Sequence, residues 1–453
     1  MVASDEHYNK MTKTPVSKLI ITLGIPTTIS MLITNIYNMV DTYFVGTLGE
    51  SQQAATGILF TLQVIIQAIA FMFGQGSGTM VSKALADKNA KEASTFVSTA
   101  FFTAVAMGSL LMIGGLFFLN PLLYLLGSTD TILPYARDYE MWVLISCPFM
   151  VASFVLNNNL RYEGKSFYAM IGLVTGGMLN VFGDYFLIKV CNKGVFGAGL
   201  ATAVSQMISF FILLYFHETI AQGSIRLKYI SKDIKEYLTI MKVGFPALVR
   251  QGLTSISNGL LNNMTKVYGD AAIAAMSVVN RFSSFVMCVG LGVGQGFQPV
   301  ASFNYQAGEY KRVKQGLLFT MFMGLCLICT LALPGYIFAE DIIHIFQKSD
   351  AVKDIGVFAL RCACGGVVFL SISVPVNMLY QSIRKAAVSS FLSMLRSGLM
   401  FMPTLIITTN LWGITGIQIS QPIADMLTGL ISIPFIIHFI KSTPDNIQNI
   451  PQL

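Results

Sequence analysis

Twelve long apolar stretches, separated by short polar turns, decide what this chain can fold into. They run over about 19–45, 54–81, 93–118, 134–158, 167–188, 196–216, 239–263, 272–302, 316–336, 355–380, 387–409 and 413–440. Each reaches the roughly 20 residues that a helix needs to cross a hydrocarbon core about 30 Å thick. Only 11% of the 453 residues are charged, where a soluble domain carries about 25%. A soluble globule and a disordered chain are both excluded. The stretches do not alternate at period two, so membrane helices rather than barrel strands are expected.

The positions of the basic residues orient these spans. Of 29 Lys and Arg, 19 fall on the side that holds both termini: Lys10, Lys13, Lys18, Lys83, Lys88, Lys91, Arg161, Lys165, Arg226, Lys228, Lys232, Lys235, Lys242, Lys311, Arg312, Lys314, Arg384, Lys385 and Lys441. Five fall opposite (Lys189, Lys193, Lys266, Lys348, Lys353), and five lie within or at the ends of spans (Arg137, Arg250, Arg281, Arg361, Arg396). This asymmetry predicts that both termini are cytoplasmic. The net charge of +7 is thereby assigned to topology, with membrane lipid as its partner; no nucleic-acid patch is present. Met1–Lys18 is polar, and no cleavable signal segment is expected.

The two halves match at an offset of 220. Gly24-Ile25-Pro26 recurs as Gly244-Phe245-Pro246, Asn38 as Asn258, Gly49-Glu50 as Gly269-Asp270, and Gly74-Gln75-Gly76 as Gly294-Gln295-Gly296. Lys91 pairs with Lys311, Asp130 with Asp350, Asn157 with Asn377, and Lys165 with Lys385. Each unit holds six spans, an even number, so the units share one orientation. The expected fold is an all-α membrane protein of twelve helices in two pseudo-symmetric six-helix bundles. The bundles cover 1–216 and 243–453, with a cytoplasmic connector at 217–242. Parallel repeats of this kind build secondary transporters. No G-x-x-x-x-G-K-S/T motif, H-E-x-x-H motif or Ser-His-Asp arrangement occurs, so neither an ATP-driven pump nor an enzyme is expected. Cys326-x-x-Cys329 sits on an apolar helix without a His partner, and no metal centre is read there.

Lys18 to Gly49, ending Tyr37-Asn38-Met39-Val40-Asp41-Thr42-Tyr43-Phe44-Val45-Gly46-Thr47-Leu48-Gly49, resembles the first helix of the multidrug and toxic compound extrusion (MATE) family. The likeness continues through Gly74-Gln75-Gly76, Leu179-Asn180-Val181-Phe182-Gly183-Asp184, Gly197-Ala198-Gly199-Leu200-Ala201-Thr202 and Gly294-Gln295-Gly296. Within the family it is similar to the bacterial branch of DinF-like and staphylococcal-type drug exporters. The resemblance implies two V-shaped lobes that rock between inward- and outward-open states. It also implies export of cationic or amphipathic compounds against inward H+ or Na+, without a cofactor, by a functional monomer in the bacterial cytoplasmic membrane.

Charge inside a span costs roughly 3 kcal/mol or more, and so marks candidates. The acids read as deep are Asp41, Asp184 and Asp425. Asp41 and Asp184 lie at similar depth in the outer half of the first bundle. Asn180 precedes Asp184 by four residues, on the same helix face. Two carboxylates, a carboxamide and the Thr202 hydroxyl form a hard-oxygen set that suits sodium or a shared proton. The resemblance assigns the family's cation site to Asp41, Asn180, Asp184 and Thr202. Asp425, Arg281, Arg396, Asn157 and Asn377 are read as structural or coupling residues. Pro26 and Pro246 are read as kinks in matching first helices. Some relatives place a glutamate early in span seven; here Pro246–Thr254 holds no acid. The alternative is a flippase for a lipid-linked oligosaccharide or other amphiphile. It would call for a strongly basic central cavity, which five basic residues at the spans do not supply.

Overall fold

The computed structural model describes residues 2–346 and 350–444. Lys348 lies outside the described residues, and so do the side chains of Glu50 and Asp350. The described chain is helical and contains no strand. After a surface helix, Val2–Lys13, twelve long helices follow. The first six are α1 (Val16–Gly46), α2 (Glu50–Ala86), α3 (Ala90–Phe117), α4 (Leu133–Tyr162), α5 (Ser166–Val190) and α6 (Gly194–Ile220). The second six are α7 (Ile234–Lys266), α8 (Asp270–Gln306), α9 (Tyr310–Ile337), α10 (Val352–Ser382), α11 (Ala386–Trp412) and α12 (Ile414–Ser442). Eleven of these are long and apolar enough to cross a membrane. The exception is α7, the expected span at 239–263. It is 33 residues long, but Lys235, Glu236, Lys242 and Arg250 dilute its apolar composition.

The repeat is written in the backbone as well as in the residues. Left-handed φ angles recur at 49 and 269, at 88 and 308, and at 164 and 384. The first pair is Gly and Gly, but the others are Lys88 with Gly308 and Gly164 with Arg384. These are the turns that end one helix and start the next, where the chain must reverse within two or three residues. The fifth helix of each half also contains a π-helical turn, at Tyr185–Val190 and at Leu395–Met400.

By contacts, the chain divides into two compact units whose borders fall inside α1 and α7. One unit joins the residues up to Asn9 with Ile29–Gln251; the other joins Lys10–Thr28 with the residues from Gly252 onward. The expected borders at 216 and 243 follow the repeat, whereas the contact borders pass through the first helix of each repeat. Glycines explain why. In the first unit a Cβ on Gly244 would overlap the backbone of Met72, and one on Gly76 would overlap the carbonyl of Ile240. In the second unit a Cβ on Gly296 would overlap the Cα of Gly24. Close backbone approach of this kind is what small residues permit between membrane helices.

The segment after α6 is tied to the first unit rather than hanging free. The Glu163 carboxylate accepts from Gln222 N at 2.7 Å and Gly223 N at 3.2 Å. The Ser94, Ser98 and Thr99 hydroxyls accept from Ser224, Arg226 and Ser231 N at 3.0, 3.1 and 2.9 Å. The expected connector therefore begins as a strap across the ends of α3 and α4.

Candidate functional site

Five helices of the first unit aim polar side chains into one cavity. The walls come from Tyr37, Asn38 and Asp41 on α1, Gln63 and Gln67 on α2, Tyr139 and Ser146 on α4, Asn180 on α5, and Thr202 and Gln206 on α6. Val143 and Met150 supply apolar wall between them. On α1, α2 and α6 the polar groups stand three or four residues apart, so each such pair shares a face.

The hydrogen bonds form a short chain. Tyr139 donates its hydroxyl to Asp41 Oδ2 at 3.0 Å, and lies 3.3 Å from Thr202 Oγ1. Asn180 Nδ2 donates to Thr202 Oγ1 at 3.0 Å. Tyr37 is hydrogen-bonded to Gln206. Asp184 is fully buried, and its carboxyl is within hydrogen-bonding reach of Asp41. Asp184 is the last α-helical residue before the π turn Tyr185–Val190, and turns of that kind often occur at functional sites.

The acceptor oxygens that remain define the chemistry. Asp41 Oδ1, both Asp184 carboxyl oxygens and Asn180 Oδ1 are buried, and no donor reaches them among the described residues. All four are hard oxygen acceptors. An arrangement of this composition accepts a cation: a proton shared by the carboxyls, or a small hard metal ion.

The MatE family model matches this chain twice, over residues 26–186 and 246–406. The chain belongs to the MatE family. The two matched segments begin 220 residues apart and end 220 residues apart, which repeats the offset found in the sequence and in the turns. The chain is similar to the multidrug export protein MepA of Staphylococcus aureus strain N315. The two are 26% identical over 431 residues, which cover 94% of each chain. MepA of Staphylococcus saprophyticus subsp. saprophyticus is 24% identical over 428 residues, again 94% of each. Among solved structures, the fold matches the outward-facing conformation of a multidrug resistance MATE family transporter of the MOP superfamily. There the TM-score is 0.91 at 22% identity, covering 96% of this chain and 98% of that one.

In this MatE chain the four residues expected at the cation site come together. Tyr37, Tyr139, Gln63, Gln67 and Gln206 join them without having been expected from the sequence. The i, i+4 spacing of Gln63 with Gln67 and of Thr202 with Gln206 is a usable signal. Tyr139 carries no such signal, since it is 98 residues from the carboxylate it bonds. Glu140, fully buried in α4, is likewise absent from the expected deep acids.

The remaining candidates sit elsewhere. Asn157 Nδ2 donates to Ala169 O at 3.0 Å, and Asn377 Nδ2 donates to Ser389 O at 2.8 Å. Both bonds span twelve residues and are related by the repeat offset, so each asparagine ties its helical hairpin together. Pro26 and Pro246 lie inside helices that continue past them. At the second unit's counterpart of the acid site, Leu261 stands where Asp41 would be, and hydrogen bonds join Thr254 and Ser257 to Ser397. Asp425 is buried beside Arg396, with Arg396 Nε at 2.8 Å and Gln421 Nε2 at 2.8 Å from the same Oδ1. Arg396 Nη1 approaches Met287 Sδ at 2.9 Å. Arg281 is exposed and does not join this pair. Removing one partner of a buried ion pair strands the other charge, so Asp425→Ala is expected to cost about 3–5 kcal/mol of stability. The double replacement Asp425→Leu with Arg396→Met is expected to recover most of it. Thermal unfolding in detergent checks both, and equal losses in the single and double variants would contradict the pairing.

Proposed function

We propose that this MatE-family chain is a secondary exporter of organic cations and amphipathic compounds, driven by inward H+ or Na+ bound at Asp41 and Asp184. The observation that carries the reading is the set of four unpartnered acceptor oxygens beside Tyr139 and Thr202. Two carboxyl groups in reach of one another, buried and without a Lys or Arg partner, are costly unless one positive charge sits between them. Such a charge taken up on one side of the membrane and released on the other supplies the coupling, because cation and drug then favour different conformations. Export of drugs is carried over from the MepA relatives, which are multidrug export proteins; the cationic and amphipathic character of the compounds is carried over from the family resemblance. The bacterial cytoplasmic membrane, a monomer and cytoplasmic termini complete the reading, the last on the excess of Lys and Arg at that face.

Energetics bound the stoichiometry. One monovalent cation exchanged for one proton moves no net charge. The potential then contributes nothing, and about 1.4 kcal/mol per pH unit remains. Two charges inward per turnover would add about 2.3 kcal/mol for each 100 mV. The test is efflux of a fluorescent organic cation from vesicles holding the purified protein, with a pH or sodium gradient imposed. Gradient-dependent efflux is expected. Transport of lipid-linked sugar in place of the dye would favour a flippase.

A further inference from the structure

One buried acid lies outside the site just described. Glu140 on α4 is 0% exposed, and neither of its carboxyl oxygens has a hydrogen-bond partner among the described residues. It follows Tyr139, the residue that donates to Asp41, but it points about 100° away around the helix. Its own-helix neighbours one turn away are Ala136, Val143 and Leu144, all buried in an apolar cluster with Leu119 and Leu123. The α3 helix closes on this region, since Gly115 leaves room for the Leu144 side chain.

The charged and titratable groups on the packed elements are accounted for elsewhere. On α4 itself, Arg137 and Asp138 are exposed, and Cys147 lies two turns along the helix. On α2, Lys83 bonds Asp87 and Glu92. On α3, Lys91 and Glu92 sit at the opposite end, as do His217 and Glu218 on α6. On α5, Asp184 faces Asp41, and Lys189 donates to Thr47. Tyr124 of the short helix Leu119–Leu125 donates to Asp130.

A carboxylate with no counter-charge and no donor is costly to keep ionised in such surroundings. A permanently neutral position would be served as well by an apolar residue, and intramembrane acids mark proton pathways. We propose that Glu140 is a second proton-binding residue of the transport cycle, loaded in addition to the cation at Asp41 and Asp184. The proton enters from the outer face, is carried on the Glu140 carboxyl while that group is sealed, and leaves to the inner face when the helices reopen. One turnover then brings in two positive charges. The proposal rests on the exporter reading above and adds the stoichiometry.

The experiment compares wild type and Glu140→Gln in vesicles, following a monovalent fluorescent cation under a pH gradient or sodium gradient alone and under an imposed membrane potential. Wild-type export is expected to accelerate when the potential favours inward positive charge. E140Q, which would carry one proton fewer, is expected to export more weakly under a pH gradient and to lose at least tenfold of the response to potential. An unchanged response in E140Q overturns the proposal. No export by wild type under any gradient overturns the exporter reading instead. Infrared difference spectra across a pH jump give a readout independent of transport. A protonated-carboxyl band present in wild type, shifted in Glu140→Asp and absent in Glu140→Gln, is expected; the same bands in all three proteins overturn the proposal.

Discussion

Asp41→Asn and Asp184→Asn are each expected to reduce export to the level of empty vesicles while the protein still inserts and folds. Both substitutions keep the shape of the side chain and remove the charge that a coupling cation would neutralise. Asp184 is fully buried with both oxygens unpartnered, so its replacement by a neutral amide is expected to leave thermal stability unchanged or to raise it. Groups held for function at a cost to the fold behave in this way. Tyr139→Phe provides a graded control. It removes a single hydroxyl that donates to Asp41 Oδ2 and so steadies the ionised carboxylate; its loss, about 0.5–1.5 kcal/mol, is expected to shift the site by up to roughly tenfold toward tighter proton binding. Full export by either aspartate variant would remove the site from the mechanism. A melting temperature that fell together with activity would recast the aspartates as structural.

The second large effect concerns glycines that the repeat makes equivalent and the packing does not. Gly244→Ala and Gly76→Ala are each expected to destabilise the protein by about 3 kcal/mol or more, because the new methyl meets backbone that cannot move aside. Gly24→Ala, the repeat partner of Gly244→Ala, is expected to be tolerated. Its Cβ would find nothing nearer than Val293 Cα at 3.8 Å and Met323 Cε at 3.9 Å. Alanine in a helix interior can even gain up to about 1 kcal/mol over glycine. Gly296, which faces Gly24, again cannot take a methyl. Yield of monodisperse protein and the thermal midpoint of the four variants decide the matter. Equal behaviour of Gly24→Ala and Gly244→Ala would show that the packing at these two glycines is alike.

The acid site is partly legible in the chain itself. Asp41 and Asp184 announce themselves because charge in an apolar stretch is rare and expensive, and the spacing of Asn180 from Asp184 puts both on one face. Tyr139 and Tyr37 are silent, because a tyrosine in a membrane span has many ordinary roles and nothing local ties it to a distant carboxylate. Glu140 is hidden for a different reason. It lies near the start of its span, beside exposed Arg137 and Asp138, where charge is expected at an interface. Only the packing of α3 and the short helix Leu119–Leu125 shows that it is sealed. Asp425 could pair with either of two arginines by sequence; the fold selects Arg396.

The repeat shows the same division. Matching residues reveal the duplication, yet at two of its three shared left-handed positions the residues differ, since Lys88 stands for Gly308 and Arg384 for Gly164 at the same left-handed backbone. A residue match records side chains, whereas the duplication preserves backbone path. The residue order alone is enough for the number and approximate limits of the membrane helices, for their duplication, and for singling out Asp41 and Asp184, two acids that the fold brings together. The helices and the acids depend on apolar length and on the cost of a charge in lipid, which are properties of a local stretch, and the duplication on residues that match at a fixed offset. The tertiary structure alone decided that the two contact units divide inside α1 and α7, and that a tyrosine on α4 reaches an aspartate on α1. It also decided that one of two matched glycines has room for a methyl. Those outcomes depend on how segments far apart in the chain pack together, and no local pattern encodes that.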